Sequence, residues 1–278
     1  MSVSPAAIIG LGAIGGSLAR ALKAKDVPAR AWGRAAKDGD LAREAGIDVG
    51  GDLADTVTGA AIVVIAVPLP ALPDVVADVI EAAPANAIII HTAGLQRLEA
   101  IGLPPEHHAR VLGTHPLAGS ADSGFGAARA DMFHGCRVSV ELRPEVGASP
   151  AAEAIWRTVG AQHFDFRDAV MHDTLMVWTS HLPQLTATAL ASTFVARRAA
   201  PRLAGPGARD TTRLAASSYQ LWSPMLAAAP AGELDVALAA LEERIGELRR
   251  LIAARDFEGL ATFWEPARTW RRDAEEGV

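Results

Sequence analysis

Residues 6–20 decide the fold and read Ala-Ala-Ile-Ile-Gly-Leu-Gly-Ala-Ile-Gly-Gly-Ser-Leu-Ala-Arg. The apolar run Ala6–Ile9 predicts a buried parallel strand, and an amphipathic helix is predicted after it. Between the two, Gly10, Gly12 and Gly15 have the G-x-G-x-x-G spacing. The first glycine allows a tight turn, the second lets the backbone approach a pyrophosphate, and the third lets helix and strand pack closely. In this strand-to-helix context the motif predicts a dinucleotide-binding domain.

The composition is that of a globular protein. The chain has 278 residues, half of them hydrophobic, and a formal net charge of −6. It is long enough for two domains, and its lack of a dense basic run argues against a nucleic-acid partner. The most apolar stretch, Ala60–Ile80, contains three prolines and two aspartates, so no membrane span is predicted.

The cysteine usage bears on the compartment. Cys136 is the only cysteine, which excludes an internal disulfide framework and fits a reducing cytoplasm, where we expect the protein to act. No metal site is predicted.

Short β-branched runs alternate with helical segments in the first half of the chain. This pattern is typical of an α/β fold with a Rossmann-type, doubly wound parallel sheet. Strands are predicted at Ala6–Ile9, Ala29–Trp32, Ala61–Ala66, Ala87–Ile90, Arg110–Gly113, Arg137–Val140 and Ala161–His163. We therefore expect a dinucleotide-binding domain over residues 1–164.

The strand signal ends at about Asp165, and an all-α domain for substrate binding and dimerisation is expected over residues 165–278. Its helices are predicted at Arg167–Arg198, Thr211–Ser217, Glu233–Ala254 and Phe257–Asp273. In the third helix apolar residues recur every three or four positions and form one stripe. The stripe is too short for a free coiled coil, so it should pack within the helical domain or across a dimer.

The choice of nicotinamide cofactor is predicted from the end of the second strand. A domain that binds NAD normally places a carboxylate there, but this chain has Arg34 instead. A guanidinium pairs well with a 2′-phosphate, so NADP is favoured over NAD, unless Arg34 is only a solvated loop charge. Asp38 and Asp40 are interpreted as residues at the start of a helix. The predicted cofactor-binding residues are Gly10, Gly12, Ala13, Ile14, Gly15, Arg34, Val67 and Pro68.

His115 is the first candidate for chemistry. It lies in the segment Gly113–Ser120, which follows a predicted parallel strand at the sheet edge where ligands bind in open α/β sheets. A histidine at that edge is well placed to accept a proton beside a nicotinamide ring. The alternative is an inert loop histidine.

Two more histidines lie nine residues apart. On one straight helix His172 and His181 would face opposite sides, so they are not expected to share a site. Pro183 has no N–H and should bend the helix near Ser180–His181. This favours His181 as the histidine that faces the site, with His172 structural or between domains.

Arg213 is the candidate for holding a carboxylate. Asp210 is predicted to cap a helix that starts at Thr211, with Arg213 in its first turns. Arg209 is the rival candidate, and a surface pair at the helix end is the alternative for both.

Five segments, taken in order, resemble the prephenate/arogenate dehydrogenase family of the tyrosine pathway. They are Gly10–Gly15, His115–Gly119, His172-Asp173, Ser180–Pro183 and Asp210–Arg213. The resemblance implies a Rossmann domain joined to a helical dimerisation domain. It also implies oxidative decarboxylation of a small anionic cyclohexadienyl acid, with hydride transfer to NAD(P).

The resemblance also implies roles for particular residues. His115 would take the proton of the ring hydroxyl, Arg213 would hold a substrate carboxylate and His181 would line the pocket. Gln184, Ser120 and Trp222 are assigned to the substrate site on the same basis.

This sequence departs from the family pattern at two places. The family commonly shows Asp-x-x-Ser-x-Lys after the fifth strand, whereas residues 91–96 read His-Thr-Ala-Gly-Leu-Gln. Thr92 is the candidate for supplying a hydroxyl from a shifted position. Gln184 stands where many members have a second histidine, and it cannot carry charge.

The departures leave the substrate open. They fit arogenate, whose side chain carries an amine. They fit equally well an altered ring substrate, such as 4-amino-4-deoxyprephenate, or a protein that has lost its activity. Two further alternatives are a dehydrogenase acting on a β-hydroxy acid and a non-catalytic sensor that binds NADP.

Overall fold

An eight-stranded sheet forms the centre of the fold in the computed structural model, which describes residues 4–120, 122–144 and 147–276. The strands are β1 Ala6–Ile9, β2 Ala29–Trp32, β3 Asp48–Val49, β4 Ile62–Ile65, β5 Ile88–His91, β6 Val111–Pro116, β7 Arg137–Glu141 and β8 His163–Arg167. Their order in the sheet is β3-β2-β1-β4-β5-β6-β7-β8. The first six strands are parallel, but β7 runs antiparallel to β6 and β8 runs parallel to β7. The predicted Rossmann-type fold is confirmed, with this reversal at one edge as a correction.

The chain divides into two compact units, Met1–Pro230 and Ala231–Val278. The first unit contains the sheet and the helices α1 Ala13–Ala24, α2 Ala36–Glu44, α3 Leu53–Val57, α4 Leu72–Ala82, α5 Pro105–His108, α6 Ser149–Thr158, α7 Ala169–Met176, α8 Leu182–Ala196, α9 Pro206–Thr212 and α10 Tyr219–Ala228. The second unit contains α11 Ala231–Ala254 and α12 Phe257–Glu276. The expected domain division between residues 164 and 165 stays a prediction.

Both faces of the sheet are covered, which explains why β1 and β4 consist entirely of buried apolar residues. On one face a core that includes Leu18, Phe133 and Trp156 packs against α1 and α6. On the other face a core that includes Val76 and Leu95 packs against α4. The carboxyl ends of β1, β4, β5 and β6 are thereby held at one edge of the sheet.

The last strand was predicted too early. Residues 161–162 precede β8, which runs from His163 to Arg167 and therefore continues past the point where the strand signal was thought to end. The sequence His-Phe-Asp-Phe-Arg alternates polar and apolar residues, as expected for a strand at the sheet edge, and lacks the continuous apolar run of the central strands. The two-residue strand β3 is too short to be recognised from its sequence.

The long helix predicted at Arg167–Arg198 is interrupted. A π-helical stretch, Val177–His181, separates α7 from α8. Pro183 has no N–H with which to bond the Thr179 carbonyl, and the expected irregularity near Ser180–His181 takes this form.

The helix predicted at Thr211–Ser217 is wrong in its boundaries. The helix α9 begins at Pro206, where a proline is favoured at the first position, and a 3₁₀ turn, Arg213–Ala216, follows it. Asp210 lies inside α9 and is not its N-cap, and Arg213 lies after α9 rather than in its first turns. The helix α10 was missed, although Ser218 caps it by accepting the N–H of Leu221.

The second unit consists of two helices that contact each other. The predicted apolar stripe on α11 is partly uncovered: Leu238, Ile245 and Ile252 are exposed, as are Trp264 and Trp270 on α12. No single helix in the described part of the chain is long and apolar enough to cross a membrane; the segments Tyr219–Ala228 and Gly232–Ala254 meet that criterion only when counted together.

Candidate active site

The three motif glycines have different physical roles. Gly10 has a φ of +108°, and a Cβ atom there would collide with the carbonyl oxygen of Ala66. A Cβ atom at Gly15 would collide with the carbonyl oxygen of Gly10. Gly12 has an ordinary φ of −77°, and a Cβ atom there would meet nothing within 4 Å. Gly10 and Gly15 are therefore required by the fold, whereas Gly12 keeps a space open.

That space is a cavity of about 380 Å³ at the amino end of α1. Its lining includes five of the predicted cofactor-binding residues, namely Gly10, Gly12, Arg34, Val67 and Pro68. The other three, Ala13, Ile14 and Gly15, form the first turn of α1. The helix has no side-chain cap and no acidic residue in that turn, so its first N–H groups are available to an anion. These features fit the pyrophosphate of a dinucleotide.

Two charged side chains, Arg34 and Asp38, lie at the same cavity. Arg34 is exposed and has no ion-pair or hydrogen-bond partner among the described residues. Asp38 lies in the first turn of α2, as expected, but its Oδ1 also accepts the N–H of Phe125 at 2.9 Å. The residues around Gly124 are thereby tied to the cavity wall, a contact that sequence analysis did not predict.

His115, at the carboxyl end of β6, begins a chain of buried hydrogen bonds. Its Nδ1 lies 3.2 Å from Nε2 of His172, and Nδ1 of His172 lies 2.9 Å from Oδ1 of Asp173. The two imidazole rings are nearly perpendicular, with centroids 5.4 Å apart. His172 and Asp173 are fully buried, whereas His115 is half-buried.

The Asp173 carboxylate is held by four donors. Besides His172, the backbone N–H of Gln96 donates to Oδ1 at 2.7 Å, and the backbone N–H and Nε of Arg97 donate to Oδ2 at 3.1 and 3.3 Å. Burial by itself would raise the pKa of this carboxyl, but the hydrogen bonds from His172, Gln96 and Arg97 outweigh it and hold the pKa below its usual value. Asp173 therefore stays ionised at neutral pH.

An ionised Asp173 fixes the tautomer of both histidines, because a carboxylate only accepts hydrogen bonds. Nδ1 of His172 must donate to Asp173, which in the neutral imidazole leaves Nε2 of His172 as an acceptor. That nitrogen accepts the N–H at Nδ1 of His115. Nε2 of His115 is then left with a free lone pair, the arrangement that a proton acceptor needs.

The pKa of His115 is lowered to about 3, mainly by burial and next by the nearby His172, while Asp173 opposes the shift. The imidazole is therefore neutral near pH 7 and able to accept a proton. A bound anionic substrate would raise this pKa again, since a negative charge close by favours the protonated form.

His172, which the sequence analysis interprets as structural or between domains, contacts His115 directly. The single straight α-helix expected between residues 172 and 181 is not present. The π-helical stretch Val177–His181 changes the rotation per residue between them, so the opposite orientation expected for a regular α-helix does not follow. The only signal for the role of His172 in the sequence is that an aspartate, Asp173, follows it directly.

His181 and His91 are also fully buried near this cluster. His181 packs edge-on against Trp222 with ring centroids 5.8 Å apart, and neither of its ring nitrogens has a partner among the described residues. His91 accepts the N–H of Ala93 at Nδ1, while its Nε2 lacks a partner within the described part of the chain. Burial lowers the pKa of His181, and it lowers that of His91 to about 4 against an opposing effect of Asp173.

Gly94 occupies the place where the family pattern has serine. A Cβ atom at Gly94 would lie 3.7 Å from Nε2 of His115 and 3.2 Å from the ε-methyl of Met225. The missing hydroxyl would thus have stood beside the free nitrogen of His115. The hydroxyl of Thr92, the candidate replacement, donates to the carbonyl of Ile65 at 3.4 Å.

The residues assigned to substrate binding lie on three elements. Gln184, on α8, is buried and donates its Nε2 to the carbonyl of Leu214 at 2.9 Å, and its Oε1 has no partner in the described ranges. Arg213, next to Leu214, is exposed at the start of the 3₁₀ turn. Ser120 is exposed and accepts the N–H of Asp122. Trp222 lies on α10 against His181.

Comparisons with known proteins agree with this architecture. The family described as "Prephenate dehydrogenase, nucleotide-binding domain" matches residues 18–145, and "Prephenate dehydrogenase, dimerization domain" matches residues 168–265. The cyclohexadienyl dehydrogenase of Zymomonas mobilis is 34% identical over 272 residues, which cover 90% of this chain and 89% of that one. The chain belongs to the prephenate dehydrogenase family. It is an NAD(P)-dependent dehydrogenase of that family.

More distant relatives extend the match over nearly the whole chain. The prephenate dehydrogenase of Lactococcus lactis is 26% identical, covering 96% of this chain and 77% of that one. The crystal structure of prephenate dehydrogenase from A. aeolicus, in complex with hydroxyphenyl propionate and NAD+, superposes with a TM-score of 0.86 at 20% identity and covers 99% of both chains. This structural likeness shows that the two proteins share a fold.

Proposed function

We propose that this protein catalyses the NADP-dependent oxidative decarboxylation of a cyclohexadienyl acid, arogenate or prephenate, in tyrosine biosynthesis. The observation that carries the proposal is the chain His115–His172–Asp173 at the carboxyl edge of the sheet. It leaves Nε2 of His115 as a proton acceptor at the carboxyl edge of the parallel strands, which is where ligands bind in open α/β sheets.

His115 serves as base and then as acid. The ring hydroxyl gives its proton to Nε2 of His115 while the hydrogen on the same carbon leaves as hydride, for which the bound nicotinamide is the acceptor. The ring carboxylate then leaves as carbon dioxide, and its bonding electrons complete the aromatic ring. The oxygen on the ring takes the proton back from His115, so the imidazole ends neutral and no net proton is released.

The preference for NADP is supported by Arg34. Its free guanidinium lines the cavity beyond β2, where a carboxylate would repel the 2′-phosphate of NADP. Charge-assisted hydrogen bonds to that phosphate would distinguish NADP from NAD.

The preference between substrates is supported by Gln184, which favours arogenate. Because its Nε2 donates to Leu214, the end of the side chain that remains free is the acceptor oxygen Oε1. A buried acceptor suits the ammonium group of arogenate better than the keto group of prephenate, which can only accept. Arg213, close in sequence to Leu214, holds a substrate carboxylate in this proposal.

The test is reduced-cofactor formation by the purified protein, followed at 340 nm with arogenate or prephenate and with NADP or NAD. Arogenate with NADP should give the highest kcat/KM. Turnover of prephenate with NAD at an equal or higher kcat/KM would contradict both the Gln184 and the Arg34 arguments.

A second candidate substrate, 4-amino-4-deoxyprephenate, is favoured by Gly94. Without a side chain at that position there is room beside Nε2 of His115 for a ring substituent other than a hydroxyl. The compound belongs in the same assay, together with a β-hydroxy acid such as 3-hydroxyisobutyrate. Tight NADP binding without turnover of any of these would favour the sensor alternative instead.

We also propose that the protein is a homodimer in the cytoplasm. The residues matched by the dimerization-domain family include α11, which exposes Leu238, Ile245 and Ile252. Light scattering coupled to size-exclusion chromatography should give a mass near 58 kDa, twice the 29.0 kDa of the chain.

A further inference from the structure

The helix α10 covers the histidine cluster from one side. Trp222 packs edge-on against His181, and the ε-methyl of Met225 approaches the same point beside Gly94 that Nε2 of His115 approaches. A substrate atom placed beside Gly94 and Nε2 of His115 would therefore lie next to Met225 of this helix. The placement of α10 helps to determine the shape of the reaction space.

Arg97 connects the end of this helix to the buried carboxylate. Its Nη2 donates to the carbonyl of Ala228, the last residue of α10, at 3.2 Å. Its Nε and its backbone N–H both donate to Oδ2 of Asp173. One guanidinium thus bridges two elements that are otherwise far apart in the sequence, and three-quarters of its side-chain surface is covered.

Both ends of this bridge need the positive charge. The carbonyl groups at the carboxyl end of a helix lack partners within the helix, and a cation placed there is favourable. Asp173 is fully buried, and Arg97 is the only arginine or lysine within ion-pair distance of it among the residues the structure describes. A buried carboxylate without such a partner is costly.

We propose that Arg97 is a positioning residue that couples the docking of α10 to the orientation of His172 and His115. When α10 is docked, Nη2 is satisfied and Nε is held against Asp173, which fixes the tautomers that leave Nε2 of His115 free. When α10 moves away, Arg97 loses one partner and Asp173 is held less firmly. The inference rests on the proposed function, because it assigns His115 the role of base.

Three variants test the bridge. Arg97→Met removes both side-chain bonds and should lower kcat/KM with arogenate and NADP roughly 10- to 100-fold, as loss of a hydrogen bond to a charged group does. Arg97→Lys keeps the charge but has one nitrogen, which cannot reach both Asp173 and Ala228, so an intermediate loss is expected. Arg110→Met is the matched control, because Arg110 also donates to a backbone carbonyl, that of Pro84. It should leave kcat/KM unchanged.

A double-mutant cycle distinguishes coupling from a general loss of packing. If Arg97 acts through α10, the decrease in kcat/KM caused by Arg97→Met should be roughly fivefold smaller in a Met225→Ala background. The reason is that the effects of interacting residues are non-additive. The effects of Arg110→Met and Met225→Ala on kcat/KM should be independent, so that the double variant shows their product. Wild-type kinetics of Arg97→Lys, or independent effects of Arg97→Met and Met225→Ala, would overturn the inference.

Amide hydrogen exchange gives a readout that does not need turnover. Arg97→Met and Asp173→Asn should both increase exchange in residues 219–228, whereas Arg110→Met should not. If the wild-type protein turns over no cyclohexadienyl acid but α10 still responds in this way, the proposed function fails while the bridge stands. Unchanged exchange in α10 of both variants would reject the bridge, whatever the substrate.

Discussion

The nucleotide cavity and the histidine cluster lie on one sheet edge but are built in opposite ways. The cavity lies against the contiguous motif of residues 10–15, in which Gly10 and Gly15 meet steric demands of the backbone and Gly12 leaves room for a ligand. The cluster is made of side chains whose hydrogen bonds join residues 57, 77 and 131 positions apart. A steric demand of the backbone restricts the residue type at one position, so it is visible in a sequence. A side-chain network is defined only by the folded chain.

The largest effect is expected at the centre of the cluster. Replacing His115 with Asn should lower kcat about a thousandfold, since a general base typically contributes a factor of 10² to 10⁴. NADP affinity, measured by quenching of tryptophan fluorescence, should be unchanged, because the cavity does not depend on His115. His163→Asn is the control, as His163 is exposed on β8. Full activity of His115→Asn would show that the base is another residue.

The second prediction separates the glycines within the motif. Gly12→Val should fold normally but weaken NADP binding roughly a hundredfold, because its side chain projects into the cavity and removes about 3 kcal/mol of anion contacts. Gly15→Ala should instead destabilise the fold, since its Cβ collides with the Gly10 carbonyl. Thermal unfolding and NADP titration of both variants distinguish these outcomes. A stable Gly15→Ala protein that binds NADP would contradict the assigned roles.

The same contrast explains what could be predicted from the sequence. The parallel strands were predictable because burial on both faces demands continuous apolar runs, as in β1 and β4. His115 was predictable as a candidate because its position at the carboxyl end of a strand is a local feature of the sequence. The partnership of His172 with His115 was not, since it joins residues 57 positions apart that only the tertiary fold brings together. Arg97 carries no pattern at all, because its partners Asp173 and Ala228 are brought to it only by the tertiary fold.

The third prediction concerns the cost of burying a histidine in the cluster. The pKa of His91 is about 4 in the folded state and 6.5 when unfolded. Between these pH values the unfolded chain binds a proton that the folded chain does not. The free energy of unfolding is therefore highest above pH 6.5 and decreases as the pH falls below it. At pH 5 the decrease in unfolding free energy that is due to His91 amounts to about 2 kcal/mol.

Urea denaturation of His91→Phe at pH 8 and pH 5 measures this cost. The decrease in unfolding free energy between the two pH values should be about 2 kcal/mol smaller than in the wild type. His163→Asn, at an exposed site, should keep the wild-type difference. An unchanged pH dependence in His91→Phe would mean that His91 is protonated in the folded state, which would contradict its burial without a partner for Nε2.

The smallest effect is expected at the cavity, where Arg34 contributes a side chain rather than backbone. Arg34→Ala should weaken NADP binding about tenfold and leave NAD binding nearly unchanged, because only NADP carries the 2′-phosphate. Lys25→Ala is the control, since Lys25 lies at the opposite end of α1. Equal losses for NADP and NAD would mean that Arg34 contacts a group common to both cofactors. In that case even the side-chain part of this cavity would recognise the dinucleotide in general, and cofactor preference would have to come from Asp38 and the segment around Gly124 that it holds.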